Sequence, residues 1–404
     1  MISVEEALSR LLAPLAPVPP EQLSVAEGLG RVLAENVAAR RTQPPFAVSA
    51  MDGYAVRAAD VEKIPATLRI IAEIPAGAGF GGTLGAGEAA RIFTGAPLPS
   101  GADAIVIQED TKRDGDTVQV LEGAPRGRYV RRAGLDFAEG DVLLQAGHRL
   151  TPRDIGLAAA MNRPWLFVYR RPRVAILSTG DEIVMPGDPI GPHQIVSSNL
   201  LALAAFVAAC GAEPVMVGNA PDDPDSLRRI AAAARGVDLF VTTGGVSVGA
   251  HDLVRDVLSE DGLAIDFWEI AMRPGKPLMF GHYRGVPMVG LPGNPVSTLV
   301  CSLIFLKPAI QRLAGLPDDA DPPAFARLGV AVKQNDRRQD YLRSRLARGA
   351  DGGVEVVPFE VQDSSMMRPL AASDCLVIRP PHAPALPAGA EVPIIAFTGN
   401  ALPL

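Results

Sequence analysis

The sequence predicts a multidomain α/β protein on three observations. Strand-like and helix-like segments alternate through residues 172–316, which predicts a mostly parallel sheet with helices on both faces. Residues 46–138 and 322–404 contain short β-like runs separated by Gly and Pro, as small β domains do. Residues 1–45 and 139–171 carry helix signals, and we expect them to form one discontinuous helical domain into which the first β domain is inserted.

The composition is that of an ordinary soluble protein. The 404 residues suffice for roughly two to four domains, and 48% of them are hydrophobic and 21% charged. The net charge of −7 argues against a nucleic-acid partner. The N-terminus lacks the basic and apolar regions of a signal peptide. The most continuous apolar stretch, 296–306, is shorter than the roughly 18 residues of a membrane span, and Lys307-Pro308 is expected to end it, so we expect a cytoplasmic protein without a membrane partner.

The cysteines predict neither a metal site nor a disulfide. Cys210, Cys301 and Cys375 lie far apart, each within an apolar run, and the five histidines are equally scattered. This spacing fits neither zinc nor a disulfide framework. We therefore expect buried thiols in a reducing compartment.

Helix signals occur in both halves of the discontinuous domain. Ser3 with Glu6, and Ser24 with Glu27, have capping-box spacing, which predicts two N-terminal helices separated by a proline-rich segment. Residues 151–154 place an N-cap threonine, a proline at the first helical position and an acid in the first turn. The second half is therefore expected to begin a helix there.

Two loops stand out in the inserted β domain. Its predicted strands are 67–71, 88–93, 104–108 and 118–121. The loop 49–56 contains Asp52 before a glycine, and the loop 91–103 contains Thr94 before another. Asp-Gly is a strong turn signal, so Asp52 is either a turn former or a functional carboxylate, and Thr94 is either a strand end or part of a site.

Loops after the predicted strands bring small and acidic residues to one edge of the α/β sheet, where ligands bind in such folds. The predicted strands are 174–177, 215–217 and 239–242, with a hairpin at 279–290, and the helices are 198–210, 226–235 and 251–258. The loops carry Glu182, Asp222, Gly244, Gly245, Ser247 and Asp252. No Gly-x-Gly-x-x-Gly follows the first strand and no P-loop motif is present, which argues against a dinucleotide dehydrogenase and a P-loop enzyme.

The stretch 275–297 is the most distinctive of these loops. Pro292, Gly293, Asn294 and Pro295 form a stiff turn that opens onto a helix, whose N-terminus favours an anion. Two cations, Arg273 and Lys276, precede it. By itself this pattern is also that of an ordinary strand-to-helix turn.

The chemistry available to these loops is metal-assisted phosphate chemistry. The carboxylates of Asp52, Glu182, Asp222 and Asp252 are hard oxygen ligands, which suit Mg²⁺ rather than zinc. Each alone is equally well a cap or a turn residue, but their convergence favours a site that binds an anionic ligand with Mg²⁺. No Ser-His-Asp or Cys-His set is apparent, so no covalent enzyme intermediate is expected.

Six motifs resemble the molybdopterin molybdotransferases, also called molybdenum insertases, to which the E domain of gephyrin is related. They are 49–55, 91–99, 178–182, 244–249 with Asp252, 274–277 and 291–297. The resemblance runs in order from residue 1 to about residue 400. It implies that 172–316 is a three-layer molybdopterin-binding domain and that 322–404 is a β-barrel.

The resemblance also implies an activity and an assembly. The reaction would insert molybdenum from molybdate into adenylylated molybdopterin with Mg²⁺-dependent release of AMP, the last common step of molybdenum cofactor biosynthesis. The protein would be an elongated homodimer, with the active site between the α/β domain of one subunit and the inserted β domain of the other. Contact with the adenylyltransferase of the preceding step is left open.

Site residues are implied position by position. The catalytic residues would be Asp52, Thr94, Asp252 and Lys276. Substrate would be bound by Asp136, Glu182, Asp222, Gly244, Gly245, Ser247, Arg273, Pro292, Gly293, Asn294, Pro295, Arg343 and Ser364. Mg²⁺ would be held by Glu182, Asp222 and Asp252. Arg273 stands where a lysine is expected, and on residue type alone Arg343 and Ser364 are expected at the surface.

Three rival interpretations remain. A scaffold of the gephyrin type would use the same module to bind partner peptides. The adenylyltransferase of the preceding step shares the α/β domain but does not need the flanking β domains. A paralogue could insert tungstate instead of molybdate.

Overall fold

The structure is a computed structural model, and it describes residues 1–245, 253–317, 324–349 and 352–397. The chain begins with α1 (Val4–Leu12), which is capped as predicted, because the Ser3 hydroxyl accepts a hydrogen bond from the Glu6 amide at 3.0 Å. The prolines that follow keep the chain out of a helix up to β1 (Pro20–Ser24).

The second predicted N-terminal helix is wrong. Val25–Glu27 is only a three-residue 3₁₀ turn, in which the Ser24 hydroxyl accepts a hydrogen bond from the Ala26 amide at 3.4 Å. The capping signal is real, but the chain soon becomes extended again at β2 (Val37–Ala38). Strand pairing to the second half of the segment therefore overrides the local helix signal.

The inserted domain is a six-stranded sheet, and its four predicted strands are confirmed. The strands are β3 (Val48–Ser49), β4 (Gly53–Val56), β5 (Ala66–Ile74), β6 (Glu88–Ile92), β7 (Ala104–Ile107), β8 (Thr111–Asp114), β9 (Thr117–Val120) and β10 (Val130–Arg131). The sheet order is β7-β4-β6-β5-β9-β8, while β3 pairs with β10. The start of β4 and the end of β6 bring the loops of Asp52 and Thr94 side by side.

The chain then returns to the first segment. It forms β11 (Val142–Leu144), α2 (Pro152–Ala160) and β12 (Trp165–Tyr169). The predicted start of α2 is confirmed, and Asp154 in its first turn accepts a hydrogen bond from the amide of the N-cap Thr151 at 2.7 Å. Antiparallel pairing of β1 with β12 and of β2 with β11 joins the two halves.

The α/β domain contains the central sheet. Its elements are β13 (Arg173–Thr179), β14 (Ile183–Val184), β15 (Ile195–Val196), α3 (Asn199–Ala209), β16 (Glu213–Ala220), α4 (Pro224–Ala231), β17 (Leu239–Thr243), α5 (Leu253–Glu260), β18 (Leu263–Glu269), β19 (Met272–Arg273), β20 (Pro277–Tyr283), β21 (Val286–Leu291), α6 (Pro295–Cys301) and α7 (Lys307–Leu313). The sheet order is β16-β13-β17-β21-β20-β18. The first four strands are parallel and the last two antiparallel, which confirms the predicted mostly parallel sheet.

Both faces of this sheet are buried. Along β13, Val174 and Ile176 point into one core and Ala175 and Leu177 into the other, as the alternation of a strand requires. The first core contains α3, α6 and also α1, whose Leu11 is fully buried there, and the second contains α4 and α5. α1 therefore packs on the α/β domain.

The apolar stretch after β21 forms a core helix that extends beyond Lys307-Pro308, where the apolar run was expected to end. Helix continues from Pro295 to Leu313 through a π-helical turn, Ser302–Leu306, which separates α6 from α7. The wider turn accommodates Pro308, which has no N–H for the regular hydrogen bond. By length and composition the helix would reach across a membrane, but 67% of its most apolar window is buried inside the protein, as in a core helix.

The C-terminal strands close into a barrel. They are β22 (Ala324–Leu328), β23 (Gln339–Arg348), β24 (Val354–Pro358), β25 (Cys375–Arg379) and β26 (Glu391–Ala396), with α8 (Met367–Ala371) between the third and the fourth. The closed order β22-β24-β23-β25-β26 leaves no free edge among these five strands. In addition, β19 of the α/β domain pairs with β23, and this pairing ties the two domains together.

Gly275, just before Lys276, should not tolerate a side chain. Its φ is +110°, and a Cβ there would overlap the Cys301 sulfur in α6. We expect Gly275→Ala to lower the free energy of unfolding by roughly 2 kcal/mol, measured by urea denaturation. The matched control Gly156→Ala lies in α2 with open space around it, and it should be neutral or stabilising by up to about 1 kcal/mol. Equal denaturation midpoints for the two variants would contradict the expectation.

Candidate active site

A cavity of about 600 Å³ lies at the carboxyl edge of the parallel strands. β13, β17 and β21 end there, and the loops that follow them form its walls. Its lining includes Ser178, Thr179, Glu182, Ile183, Ile195, Val196, Ser197, Asn199, Thr243, Gly244, Pro277, Pro292, Gly293, Asn294, Pro295, Ser297 and Ser365. The predicted convergence of these loops is confirmed, and all four predicted residues of the turn 292–295 line the cavity.

The turn after β21 is held by its carbonyl groups. The Pro292 carbonyl accepts hydrogen bonds from the hydroxyls of Thr243 (3.2 Å) and Thr298 (2.6 Å). The Gly293 carbonyl accepts one from the Asn199 amide (2.7 Å), and the Asn294 carbonyl accepts one from the Thr298 hydroxyl (3.0 Å). Thr243, Thr298 and Asn199 were not predicted as site residues. Their hydrogen bonds to backbone carbonyls produce no recognisable sequence motif.

The Gly244-Gly245 turn requires both glycines. Their φ values are +85° and +64°. A Cβ on Gly244 would lie 2.6 Å from the Thr179 carbonyl, and one on Gly245 would overlap the Val254 side chain. Gly244 lines the cavity. The predicted Ser247 and Asp252, which follow, lie outside the described residues.

The acidic residues at this edge come from two loops. The Asp222 amide donates a hydrogen bond to Asp181 (3.0 Å), and Asp222 accepts one from the Asp181 amide (3.4 Å). Glu182 follows directly and lines the cavity. These oxygens have the chemistry that Mg²⁺ prefers, although within the described ranges no three His, Cys, Asp or Glu residues form a group that could hold a metal. Asp252, the third predicted ligand, belongs to the undescribed segment 246–252.

The two predicted cations differ in their surroundings. Lys276 precedes Pro277 of the cavity wall and pairs with Glu269 at 3.3 Å. Arg273 lies beside the barrel, where it pairs with Asp340, its neighbour across the β19–β23 ladder, and with Asp336 at 3.3 Å. Asp340 is buried, which raises the pKa of its carboxyl group. Arg273 is therefore engaged in a contact between two domains.

Arg343 is not a surface residue, contrary to the expectation from its type. It is 1% exposed, and this burial lowers the pKa of its guanidinium group. It donates to Gln362 (3.2 Å) and to the carbonyls of Met366 (3.1 Å) and Val361 (3.4 Å). The guanidinium thus holds the loop 361–366 and is itself not part of the cavity lining.

That loop reaches the cavity. The Ser364 hydroxyl accepts a hydrogen bond from the Asn294 amide group at 2.9 Å, and the Ser364 carbonyl accepts one from the Val296 amide at 3.1 Å. Ser365 lines the cavity. The C-terminal domain therefore contributes Ser365 to one wall, next to the predicted Ser364.

Asp52 and Thr94 form a pair in the inserted domain. Asp52 accepts hydrogen bonds from the Thr94 amide (2.7 Å) and hydroxyl (2.8 Å), which lower the pKa of the carboxyl group, and the nearby Arg91 adds to this. Thr94 is exposed, so the pair faces solvent. Gly95 lines a second cavity of about 800 Å³, which Asp136 also lines together with Arg41 and Arg131.

The two cavities are separate within one chain. Among the described residues, none lines both. Of the predicted residues, Glu182, Gly244 and the turn 292–295 line the first cavity, and Asp136 lines the second. Asp52 and Thr94 contact each other beside Gly95 of the second cavity without lining it.

Comparison with protein families assigns all three parts of the chain. Residues 2–162 match the MoeA N-terminal region (domain I and II), and residues 175–312 match a probable molybdopterin binding domain. Residues 326–397 match the MoeA C-terminal region (domain IV).

Several curated proteins are similar over most of their length. A molybdopterin molybdenumtransferase from Nostoc sp. is 43% identical over 331 residues, which cover 78% of this chain and 75% of that protein. Molybdopterin molybdenumtransferase 2 from Mycobacterium tuberculosis is 36% identical and covers 94% and 95% of the two chains. A crystal structure of a molybdopterin biosynthesis moeA protein from Pyrococcus horikoshii is 33% identical, with a TM-score of 0.85 over 99% of this chain and 100% of that one.

The Asp52–Thr94 pair predicts a pH dependence. Because folding lowers the pKa of Asp52, the carboxylate stabilises the fold above its unfolded pKa, and this contribution is lost as pH falls through the folded pKa. We expect Thr94→Val, which removes the hydroxyl donor and keeps the amide, to move the titration midpoint of Asp52 upward in ¹³C NMR. Thr117→Val, on β9 of the same sheet, should leave the midpoint unchanged. No movement in Thr94→Val would contradict the assigned cause.

The Arg273–Asp340 pair predicts a stability effect. Arg273→Ala would leave the buried Asp340 without its cation, and we expect a loss of roughly 1–3 kcal/mol in the free energy of unfolding, because Arg273 itself is half exposed. As a control, Arg173→Ala removes an exposed pair with Glu213 at 3.7 Å and should cost less than about 1 kcal/mol. Thermal unfolding of both variants measures the difference, and equal shifts would show that Arg273 is not a structural tie.

Proposed function

The chain belongs to the MoeA family of molybdopterin molybdenumtransferases, and we propose that it performs this transfer on adenylylated molybdopterin, taking molybdenum from molybdate and releasing AMP. The observation that carries the proposal is the cavity at the strand ends, whose lining is rich in hydroxyl, amide and backbone groups and includes Glu182. A cavity of about 600 Å³ is within the range of small-molecule sites.

The end of the cavity at the turn 292–295 suits an anion. Pro295 begins a helix that runs to Leu313, and Ser297 in its first turn lines the cavity. Free amide groups and the helix dipole favour negative charge at such a terminus. Since the carbonyls of residues 292–294 are held by side chains, the turn cannot swing a carbonyl toward a phosphate without breaking those bonds.

Lys276 supplies the positive charge on the approach to the cavity. Its ammonium is partly exposed and pairs with one carboxylate, that of Glu269. A bound oxyanion could replace Glu269 as its partner. Arg273 is less available, because Asp336 and Asp340 already occupy its guanidinium. Lys276 is therefore proposed as the main molybdate- and phosphate-binding cation, with Arg273 contributing charge from the edge of the barrel.

Glu182 and Asp222 are the described residues that would hold Mg²⁺. The donor set fits in its chemistry, because both are hard oxygen ligands on neighbouring loops at the sheet edge. When bound there, the ion would polarise the phosphoanhydride. The chain's own part is to orient the Asp222 carboxylate, which accepts a hydrogen bond from the Asp181 amide, and to place Glu182 directly after Asp181.

Asp52, Thr94 and Asp136 are proposed to act from a second subunit. Asp136 and Gly95, the neighbour of Thr94, line a different cavity from that of the α/β domain, so a cytoplasmic homodimer that places one cavity against the other would complete the site. The hydrogen bonds from Thr94 fix the Asp52 carboxylate and lower its pKa, and a fixed carboxylate can orient a substrate group.

The direct test is AMP release by the purified protein. With adenylylated molybdopterin, Mg²⁺ and molybdate we expect release of AMP, and without molybdate much less. We expect Asp52→Ala to lower turnover by at least about a hundredfold, the scale of general acid–base catalysis, with unchanged thermal unfolding. Asp114→Ala, an exposed carboxylate on β8 of the same sheet, is the matched control and should turn over normally.

Three outcomes would count against parts of the proposal. Tight substrate binding without AMP release would favour a scaffold, and release that depends on tungstate alone would change the metal. Normal turnover by a folded Asp52→Ala protein would remove Asp52 from the reaction.

A further inference from the structure

Asn199, the first residue of α3, ties together two loops of the first cavity. Its Nδ2 donates to the Thr243 hydroxyl at 3.0 Å and to the Gly293 carbonyl at 2.7 Å. A backbone carbonyl can only accept, so the amide nitrogen rather than the amide oxygen must face Gly293. This contact decides the orientation of the side-chain amide.

The oxygen of the same amide is left for a ligand. Both hydrogens of Nδ2 are used, and no donor in the described parts of the chain reaches Asn199 Oδ1. The atom is also not among the buried polar atoms that lack a partner. Because Asn199 lines the cavity, Oδ1 is open to whatever the cavity binds.

The neighbours of Asn199 favour a flat heterocycle. Ile183, Ile195 and Val196 line the same cavity and offer apolar surface to the faces of a ring. An acceptor fixed beside them recognises an N–H at the ring edge. Phosphate, molybdate and a dithiolene sulfur bear no N–H. A ribose hydroxyl could donate to the same oxygen, but it has no flat face to lie against these apolar side chains, so the heterocycles fit this position best.

We propose that Asn199 Oδ1 accepts a hydrogen bond from an N–H of a substrate heterocycle, and that Asn199 is a specificity-determining residue. This rests on the proposed function, because it takes adenylylated molybdopterin as the ligand. The pterin and the adenine both carry such N–H groups, and binding of AMP alone separates the two sources.

Two substitutions distinguish the acceptor Oδ1 from the clamp, by which we mean the two hydrogen bonds that Nδ2 donates to Thr243 and Gly293. Asn199→Ala removes both, whereas Asn199→Asp removes the donor and keeps an acceptor oxygen in the same volume. We expect Asn199→Ala to bind adenylylated molybdopterin about tenfold more weakly than the wild type, the upper end for one neutral hydrogen bond. Asn199→Asp should bind at least about threefold more tightly than Asn199→Ala, although its charge disfavours an anionic ligand.

Further variants keep the test decisive if Asn199→Ala folds poorly. Thr243→Val removes one bond of the clamp and also the donor to the Pro292 carbonyl while it leaves Oδ1, so the affinity that it loses measures the clamp and the turn without the acceptor. Asn36→Ala controls for the loss of an asparagine and should bind normally. Asn36 is exposed, and its side-chain oxygen accepts a hydrogen bond from the Ala146 backbone amide. Thermal unfolding is recorded for each variant.

The outcomes are distinct. If the wild type does not bind adenylylated molybdopterin, the proposed function fails. If it binds, and Asn199→Asp is no tighter than Asn199→Ala, then Asn199 is only a clamp and the inference alone is overturned. A difference between Ala and Asp that also appears with AMP assigns the contact to adenine, and one confined to the full substrate assigns it to the pterin.

Discussion

The capture of three successive carbonyls in the turn 292–294 is the constraint on which the site depends. Each carbonyl is held by a side chain: Thr243 at the end of β17, Asn199 at the start of α3 and Thr298 in α6 itself. A buried carbonyl without a partner costs on the order of 1–3 kcal/mol, so these bonds strongly disfavour other conformations of the turn. The cavity is thereby shaped before any ligand arrives.

Buried charged residues connect the C-terminal barrel to the α/β domain and to the turn 292–294. Arg343 is almost fully buried, and its guanidinium donates hydrogen bonds to the loop 361–366. Ser364 of this loop accepts a hydrogen bond from the Asn294 side-chain amide. Arg273 reaches from the α/β domain to the buried Asp340 of the barrel. A charge buried away from water must find a partner. For Arg343 the partners hold the loop 361–366, and for the buried Asp340 the partner is the half-exposed Arg273 of the α/β domain.

The inserted domain contributes differently. The Asp52–Thr94 pair is preorganised by two hydrogen bonds, yet it faces solvent next to a cavity of its own. The Asp52–Thr94 pair and the cavity of the α/β domain therefore lie in different parts of one chain. The proposed pairing of two subunits would bring them together.

The sequence by itself determined the alternation of strands and helices in the α/β domain, four of the six strands of the inserted sheet and the glycines of the Gly244-Gly245 turn. Periodicity and turn chemistry are local, so they can be read from neighbouring residues. The tertiary structure decided what non-local partners control. It replaced the helix expected after Ser24 with a strand pair, carried α-helix past Pro308 through a π turn, and buried Arg343. Asn199 gained its role in the same way, because its partners are carbonyls and hydroxyls brought close only by folding.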